Sequence, residues 1–461
     1  MTKGDQSEFM QSAEQMSDAL GPALCLAKWK QVSLHLQTGM NNSCYHPPLH
    51  AIDPVAIKCD PGALHNTEHK KAQRQLMLTG QRPAECSYCW NMEDQNKLSD
   101  RHYRSGEPWA VVDFEKIKNS TGLEDDVIPS YVEVNFNNAC NLKCSYCSPQ
   151  FSSSWGDEVH RHGAYPTAIP HNAPEHFSGA RRVIPAREHN PYVEAFWQWW
   201  PRLYPTLEHF RMTGGEPLMD RNTYRVFDHV IANPSKKLHL NVTSNFSVED
   251  NLFNKYMTAV QTICDGRIEH FMQYVSLDGW GAQAEYMRHG MTFDLVWSRV
   301  NQYLTDIPSY NSLTFIITMN NLSVSSLQQL LAGILELRGK HSRTYQRVWF
   351  DTPVLREPAW QSLQILPESY VQRLESVRDW MSQNLITSSN PYHGFKDYEV
   401  ARLDRDIAWM RSAHGQDHSQ AQADFYRFFR EHDRRRNTDF VKTFPEMRAW
   451  WAECEYHARN T

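Results

Sequence analysis

Three cysteines, Cys140, Cys144 and Cys147, stand four and three positions apart in one short segment, and their spacing constrains the chain more than any other feature. Closely spaced thiolates bind either a zinc ion or the irons of an iron–sulfur cluster. A [4Fe-4S] cube has four irons, so three cysteines leave one iron without a protein ligand. Such an iron can bind a reactant, whereas a zinc ion held by three thiolates and one further ligand would be structural. The spacing therefore indicates a metal site of one of these two kinds.

The residues before the cysteines predict where the site lies in a fold. Polar side chains alternate with apolar or aromatic ones from Tyr131 to Phe136, as in a β-strand. The cysteines would then lie on the loop that follows a first strand. In a parallel α/β barrel that loop is at the C-terminal mouth, where active sites are assembled.

A second short motif follows downstream, from Phe210 to Leu218. An apolar strand runs into Gly214 and Gly215, which allow the backbone to approach a ligand closely, and Pro217 then ends the strand pairing. Two adjacent glycines by themselves are typical of an ordinary turn.

Further runs with strand character recur at barrel spacing, and each leads into polar residues suited to a barrel mouth. They are Leu238–Val242, Phe271–Val275, Leu313–Ile317 and Val348–Phe350. Helix-length stretches separate them, for example from Ser323 to Leu337, where leucine and isoleucine recur at helical spacing. Strands alternating with helices predict a parallel sheet with right-handed crossovers. Six strands are expected between Tyr131 and Val354.

The cysteine triplet, the Gly214–Pro217 segment and the six strand–helix units together resemble the radical S-adenosylmethionine (radical SAM) superfamily. The resemblance implies an α/β fold with a partial (β/α)6 TIM-type barrel. It also implies a [4Fe-4S] cluster on Cys140, Cys144 and Cys147, which are the catalytic residues. The open iron would bind the amino and carboxylate groups of SAM, and an electron would cleave the cofactor to a 5′-deoxyadenosyl radical.

The same resemblance implies a set of SAM contacts. Gly214, Gly215, Glu216 and Pro217 would bind the amino group, Ser244 and Asn245 the ribose or carboxylate, Ser276 and Asp278 the methionine or ribose end, Arg288 the carboxylate, and Tyr146 the adenine side. Strand-end caps or turns are the alternative for Ser244, Asn245 and Asp278. A charge on the surface of a helix is the alternative for Arg288.

A second cysteine set precedes the predicted barrel. Cys25 and Cys44 flank Gly39, and Cys86 and Cys89 form a distant CxxC pair. A hairpin turned by Gly39 would bring two thiolates together, and the CxxC turn would supply two more. This resembles the twitch module related to SPASM domains and implies a second, auxiliary [4Fe-4S] cluster, with zinc as the alternative. Such modules usually follow the barrel, and this one precedes it.

Three other cysteines, Cys59, Cys264 and Cys454, are interpreted as buried or incidental thiols. For Cys59 there is an alternative interpretation, in which it replaces one ligand of the auxiliary cluster.

Composition is typical of a soluble cytoplasmic enzyme. The chain has 461 residues, of which 41% are apolar, which is enough for a large core. Residues 1–21 lack an apolar segment, so secretion is not expected, and no run approaches the length of a membrane span.

The net charge of −6 gives no overall basic field for nucleic acid. Arg434–Arg436 follow aromatic residues and are interpreted as a solvated helix end rather than an RNA or phosphate site.

Three parts are expected: an auxiliary-cluster module over residues 1–110, the barrel over 125–360, and a helical C-terminal extension over 361–461. The extension opens at Leu366–Ser369, where a proline precedes a helical pattern. Residues 151–195 contain scattered histidines and are expected to form a loop over the barrel mouth rather than a metal site.

The function implied by the resemblance is removal of a hydrogen atom from a substrate by the radical. Modification of a peptide or protein by oxidation, cross-linking or epimerisation ranks first, because the long insertion and the aromatic tail could form an extended surface. Oxidation or rearrangement of a sugar, nucleotide or other small metabolite comes second, and activation of a glycyl-radical enzyme third. A non-enzymatic iron–sulfur electron carrier or sensor is the alternative outside enzymology. A reductant such as flavodoxin or ferredoxin would supply the electron.

Overall fold

The computed structural model describes residues 3–461, without the side chains of residues 3–10 and 180. The first two residues of the predicted N-terminal module lie outside that range. The chain divides into two compact units. The first unit comprises Met1–Asn138, Gly179–Val242 and Gly266–Phe271, and the second comprises Ala139–Ser178, Thr243–Asp265 and Met272–Thr461.

Eleven strands are present in the described part of the chain. They are β1 Gln31–His35, β2 Met40–Asn42, β3 His50–Ala51, β4 Tyr131–Asn135, β5 Lys143–Cys144, β6 His209–Thr213, β7 Ser235–Ser244, β8 Ile268–Ser276, β9 Arg288–His289, β10 Ser312–Ile316 and β11 Val348–Asp351. The six strands predicted from the sequence correspond to β4, β6, β7, β8, β10 and β11. Their existence and order are confirmed, and their ends differ from the prediction by a few residues.

Twenty α-helices are described. Those up to the end of β6 are α1 Lys3–Ala19, α2 Ala27–Lys30, α3 Ala56–Cys59, α4 Glu68–Leu78, α5 Ser87–Glu93, α6 Asp100–Ser105, α7 Pro108–Val111, α8 Phe114–Lys118, α9 Ser153–His162 and α10 Pro191–Leu203. The later ones are α11 Arg221–Ala232, α12 Asp250–Cys264, α13 Gly281–Met287, α14 Phe293–Asp306, α15 Leu327–His341, α16 Glu368–Gln383, α17 Asp397–Arg411, α18 Ser419–Arg436, α19 Phe440–Thr443 and α20 Arg448–Asn460.

The sheet of the first unit is mixed. Strands β7, β6, β4 and β1 lie side by side and are parallel, and β2 and β3 continue the sheet from β1 as antiparallel strands. The predicted hairpin is present between β1 and β2, and Gly39 adopts a φ of +66° just before β2. The parallel pairing of β1 with β4 was not predicted. It joins the N-terminal cysteine segment to the first predicted barrel strand through backbone hydrogen bonds.

Burial explains why β4 and β6 are central strands. Val132 and Val134 on β4, and Phe210 and Met212 on β6, are fully buried and alternate with more polar residues. Helix α10 covers this apolar side with Phe196 and Trp200, whose rings lie 6.2 and 5.2 Å from that of Phe210. Strands and covering helices therefore form a layered α/β core in the first unit.

The second unit contains β8 from Met272 onward, with β10 and β11 parallel to it, together with the short antiparallel pair β5–β9. Its C-terminal part is helical from α16 onward, as predicted for the extension. Within that extension α18 packs on α20 through aromatic side chains, with the ring of Phe425 4.5 Å from that of Trp450.

The insertion at residues 151–195 differs from the prediction of a loop. Ser153–His162 form helix α9, because Ser152 caps its first turn by accepting a hydrogen bond from the Trp155 backbone N–H and Trp155 and Val159 bury one face. Helix α10 begins at Pro191, inside the predicted insertion. No helix among residues 3–461 is both long enough and apolar enough to span a membrane.

Candidate functional site

The segment carrying the cysteine triplet is held by backbone and side-chain hydrogen bonds within the second unit. Cys144 lies on β5 and pairs with Arg288 on β9. The Cys147 backbone N–H donates to the Cys144 carbonyl at 2.9 Å, which forms a tight turn between these two thiols. Trp155 donates its indole N–H to the same carbonyl at 2.8 Å, and Ser154 donates its hydroxyl to the Cys140 carbonyl at 2.8 Å. Helix α9 thus holds the backbone at the first two cysteines of the triplet.

A buried charged cluster adjoins Cys144. Arg288 forms an ion pair with Asp278, with Nε 2.8 Å from Oδ2. Tyr146 donates its hydroxyl to Asp278 at 2.6 Å and accepts a hydrogen bond from Arg288 at 2.7 Å. A second guanidinium nitrogen of Arg288 lies 3.5 Å from the Cys144 sulfur. Four residues singled out from the sequence are therefore in mutual contact, and a positive charge sits beside one thiol.

The surroundings of Arg288 exclude its interpretation as a charge on a helix surface and show which carboxylate it binds in the structure. Arg288 is on a strand and only 6% exposed, so the alternative of a charge on a helix surface is wrong. The carboxylate that it binds in the structure is the side chain of Asp278. The Thr318 backbone N–H also donates to Asp278 at 2.8 Å, which anchors the pair to the end of β10.

Burial is the largest influence on the pKa values of Cys144 and Cys147. It raises the pKa of Cys144, against an opposing effect of Arg288, and it raises the pKa of Cys147 to about 12, with the neighbouring Cys144 adding to the increase. A thiol must lose its proton to bind a metal. Metal binding at this segment would therefore release the thiol protons. The metal cation would then offset the negative charge of the buried thiolates.

Ser244 and Asn245, at the end of β7, have local roles in the structure. The Ser244 hydroxyl accepts the Phe246 N–H, and the Asn245 amide oxygen accepts the Ser247 N–H, so both form the turn that was the alternative interpretation. Asn245 also donates to the Asn141 side chain at 3.0 Å, which links this turn to the cysteine segment. Ser276 ends β8, where it pairs in register with Ile316 on β10.

The Gly214–Pro217 segment lies in the first unit, after β6. Gly214 has a φ of +117°, and a Cβ atom there would stand 2.1 Å from the Asn135 amide oxygen, so no other residue fits. Glu216 is buried and accepts the Leu218 N–H, and Pro217 begins a short 3-10 turn. Asn135 is 2% exposed, and neither of its amide atoms has a hydrogen-bond partner among the described residues. An amide so buried without a partner is typical of a place where a water or ligand belongs.

The four cysteines of the second set line one cavity in the first unit. Cys25, Cys44, Cys86 and Cys89 line a small cavity of about 20 Å³ that is partly open to solvent. Cys25 precedes α2, Cys44 follows the β1–β2 hairpin, and Cys86 and Cys89 flank the first turn of α5. The four thiols therefore reach the same cavity from three places: Cys25 from the residues before α2, Cys44 from those after the hairpin, and Cys86 and Cys89 from the CxxC turn. Cys59 is exposed and does not line it, whereas Cys264 and Cys454 are buried elsewhere.

Positive side chains also line this cavity. Lys28, Arg101 and Arg104 face it, and the first two are paired with Glu85 and Glu93. Burial raises the pKa of Cys44 to about 11 and those of Cys86 and Cys89 to about 12, and the charge of Cys25 adds to the increase in each. Buried cations beside thiolates would offset the negative charge of a bound cluster.

A single metal ion and an iron–sulfur cluster place different geometric demands on a set of thiols. Among the described residues, no group of three or more His, Cys, Asp or Glu side chains is arranged to hold one metal ion. A zinc ion needs all its thiolates to converge on one point at about 2.3 Å, whereas a cube attaches each cysteine to a different iron. The four thiols that line the first-unit cavity are a donor set of the kind that either a cube or a zinc ion takes.

The C-terminal extension contacts the cysteine segment through an ion-pair group that the sequence did not reveal. Arg436 on α18 binds both carboxylate oxygens of Glu158 on α9 at 3.2 Å and donates to the Lys143 carbonyl at 2.8 Å. Lys143 and Tyr165 also bind Glu158, at 2.8 and 2.5 Å. We call Glu158, Lys143, Tyr165 and Arg436 the Glu158 cluster.

The interpretation of Arg434–Arg436 as a solvated helix end is therefore wrong for two of the three residues. The side chains of Arg435 and Arg436 are 2% and 0% exposed, and Arg434 alone is 62% exposed. Arg435 donates to the carbonyls of Gly163 and Ala164 in the insertion.

We expect the Glu158 cluster to make stability depend on pH. Burial alone would raise the pKa of Glu158, but the charge and hydrogen bonds of Arg436, with those of Lys143 and Tyr165, lower it from 4.5 to about 2. A carboxyl group whose pKa is lower in the folded state than in the unfolded state stabilises the fold at pH values above its unfolded pKa. For Glu158 this stabilisation is lost as the pH falls from about 4.5 towards 2. The loss should reach about 3 kcal/mol. Urea unfolding between pH 6 and pH 3 should show a steeper decline for the wild type than for Glu158→Gln, and parallel curves would contradict the assignment.

Some residues of the site had no sequence signal. Asn141 donates to the Ser247 carbonyl, and the Gln361 amide exchanges hydrogen bonds with Ser145 from 216 positions away. Their side chains are common in any loop, so only the fold identifies them. Asn135, in the first unit, could have been noted, because it is a polar residue that ends β4 directly before the loop.

No protein-family model matches the chain, and no curated protein matches it significantly.

Proposed function

We propose that the chain is a radical SAM enzyme with a catalytic [4Fe-4S] cluster on Cys140, Cys144 and Cys147. The observation that carries the proposal is the contact between this triplet, with its single missing ligand, and the buried Tyr146–Asp278–Arg288 cluster. When bound, the cluster and SAM would supply a 5′-deoxyadenosyl radical that removes a hydrogen atom from the substrate. In this proposal the six parallel strands form a partial (β/α)6 barrel.

The residues of the site have specific tasks in this proposal. Arg288 places a positive charge at the Cys144 sulfur, which favours the thiolate that binds iron. Asp278 fixes the guanidinium, and Tyr146 completes the hydrogen bonds of that carboxylate, so the charge is held in one place. Gly214 provides a backbone edge without a Cβ atom for the SAM amino group, beside the unpartnered amide of Asn135.

The second set of cysteines is proposed to hold an auxiliary [4Fe-4S] cluster. All four corners would be occupied by Cys25, Cys44, Cys86 and Cys89, so electron transfer or a structural role is favoured over substrate binding. The enclosing wall and the cations Lys28 and Arg101 support this assignment.

The substrate proposal is a peptide or protein, with a small metabolite such as a sugar or nucleotide as the alternative. A flavodoxin- or ferredoxin-like protein would supply the electron, and the cytoplasm would provide the reducing conditions. Deuterium transfer from labelled candidate substrates into 5′-deoxyadenosine would identify the hydrogen that is removed.

The direct test of the proposed function is cleavage of SAM. Protein reconstituted with iron and sulfide without oxygen, then mixed with dithionite and SAM, should produce 5′-deoxyadenosine, measured by liquid chromatography and mass spectrometry. A pure electron carrier or sensor would be reduced and reoxidised without forming 5′-deoxyadenosine. Mössbauer spectra of the reconstituted protein that show only mononuclear iron, and no cluster, would refute the proposal.

Iron content tests the auxiliary cluster separately. We expect about eight irons per reconstituted chain, since each cube contains four. Replacing Cys86 and Cys89 by Ala should leave about four, because two thiolates cannot hold a cube at the first-unit cavity. Iron and acid-labile sulfide assays measure both values. A wild-type content of about four, unchanged in the double variant, would contradict the second cluster.

A further inference from the structure

We propose that a solvent-open cavity between helices α10 and α11 binds an organic anion through Arg221 and Arg225. The proposal does not depend on the iron–sulfur chemistry. The cavity measures about 760 Å³ and lies entirely within the first unit. Its walls come from Phe136 and Asn137 after β4, from residues 184–186 and 188–190, and from the first two turns of the two helices. Ligand pockets for small organic molecules have volumes of roughly 300–1,000 Å³, so the cavity is large enough for one.

Arg225 is held in place by an aromatic ring. Its guanidinium carbon lies 3.8 Å from the centre of the Trp197 ring. Trp197 is itself fixed, because its indole N–H donates to Asn222 at 2.9 Å and the Phe136 ring lies parallel to it at 6.2 Å. A guanidinium stacked on a ring keeps the N–H groups of its edge available for a carboxylate or phosphate. Arg225 therefore offers a pre-organised anion contact at a low cost in side-chain entropy.

Arg221 supplies a second positive charge on the same face. It lies four positions before Arg225 on α11, a spacing that places two side chains next to each other on a helix. Both arginines are exposed. Neither forms an ion pair with a carboxylate in the part of the chain that the structure describes. The N-terminus of α11 is already capped, because Asp220 accepts the Asn222 backbone N–H at 2.8 Å, so the two arginines alone supply the positive charge of this face.

Two carboxylates on the cavity wall restrict the ligand. Glu194 already accepts hydrogen bonds from His189 at 2.8 Å and Gln198 at 3.5 Å. Glu188 also lines the cavity and adds a negative charge to it. A polyanion would be repelled by this charge, whereas one anionic group can bind the two arginines. The remaining wall includes Phe136, Trp197 and Val193, which suit an apolar or aromatic body. The ligand class is thus an organic molecule with a single carboxylate or phosphate group.

Isothermal titration with benzoate and with phenyl phosphate tests the proposal, because the two probes share an aromatic body and differ in the anion. At least one should bind the wild type in a one-to-one ratio. Arg225→Gln should weaken that binding at least tenfold, and Arg221→Gln severalfold. Arg225→Lys should also weaken it, because it keeps the charge but loses the planar fork. Glu188→Gln should tighten binding by removing a like charge.

Arg202→Gln is the matched control, since Arg202 lies on α10 but outside the cavity and is paired with Asp60 and Asp126. It should bind the probe as the wild type does. Circular dichroism should be unchanged in all variants, because the replaced side chains are exposed. Tighter binding of benzoate would assign a carboxylate ligand, and tighter binding of phenyl phosphate a phosphate ester. Failure of both probes to bind, or equal binding by Arg225→Gln and the wild type, would overturn the proposal.

Discussion

Replacing Cys144 by Ala should abolish the formation of 5′-deoxyadenosine from SAM. Cys144 is the middle ligand of the triplet, and two thiolates cannot hold three corners of a cube. Changing a residue that only supports a metal ligand typically costs 10–100-fold, so loss of a ligand itself should reduce cleavage by roughly a hundredfold or more. The measurement is product formed per chain in reconstituted protein with dithionite and SAM. Iron content measured in parallel should fall by about four, which locates the loss at this cluster.

The control for this variant is Cys59→Ala. Cys59 is exposed and lies outside the auxiliary cavity, so its removal should leave both SAM cleavage and iron content near those of the wild type. Equal loss in the two variants would indicate nonspecific damage during reconstitution. Cleavage that persists in Cys144→Ala would contradict the assignment of the site.

The parts of this chain that the sequence predicts are those with a local signal. Strands such as β4 show their alternating pattern within five or six residues, and Gly214 is marked by an adjacent glycine and a proline. The cysteine spacings are visible for the same reason. The strands and the hairpin at Gly39 could therefore be predicted without any knowledge of which elements pair.

Pairing between distant elements had no such signal. Strand β1 pairs with β4, about a hundred residues later, in a register that matches Gln31 with Tyr131. Any of several parallel strands could have accepted β1 on pattern alone, because pattern fixes which face a residue occupies but not its neighbour. The contact between Arg288 and Cys144 depends in the same way on the pairing of two-residue strands, which are too short to predict.

Arg434–Arg436 show why composition misleads at a helix end. Consecutive residues on a helix point about 100° apart, so three adjacent arginines cannot share one environment. Arg434 faces solvent, whereas Arg436 faces Glu158, a residue 278 positions earlier. Only the packing of α18 on α9 distinguishes them.

This difference leads to the largest stability effect that we expect. Arg436→Ala should destabilise the fold by about 3–5 kcal/mol, because it leaves Glu158 as a buried charge without its main partner. Arg434→Ala, two positions away, should leave the free energy of unfolding near that of the wild type, because the Arg434 side chain is exposed to solvent. Chemical denaturation of the wild type, Arg436→Ala and Arg434→Ala measures the free energy of unfolding of each. Equal effects of the two substitutions would contradict the role of the Glu158 cluster.

Hydrogen exchange would show whether the effect reaches the cysteine segment. Arg436 donates to the Lys143 carbonyl and stacks 4.8 Å from the Trp155 ring, whose N–H binds the Cys144 carbonyl. Backbone amides of Lys143–Cys144 and Ser153–His162 should therefore exchange faster in Arg436→Ala and remain protected in Arg434→Ala. A double variant, Glu158→Gln with Arg436→Met, should recover part of the lost stability, since removing both charges avoids the unpaired carboxylate. If the double variant were as unstable as the sum of the single changes, the ion pair would not be the cause.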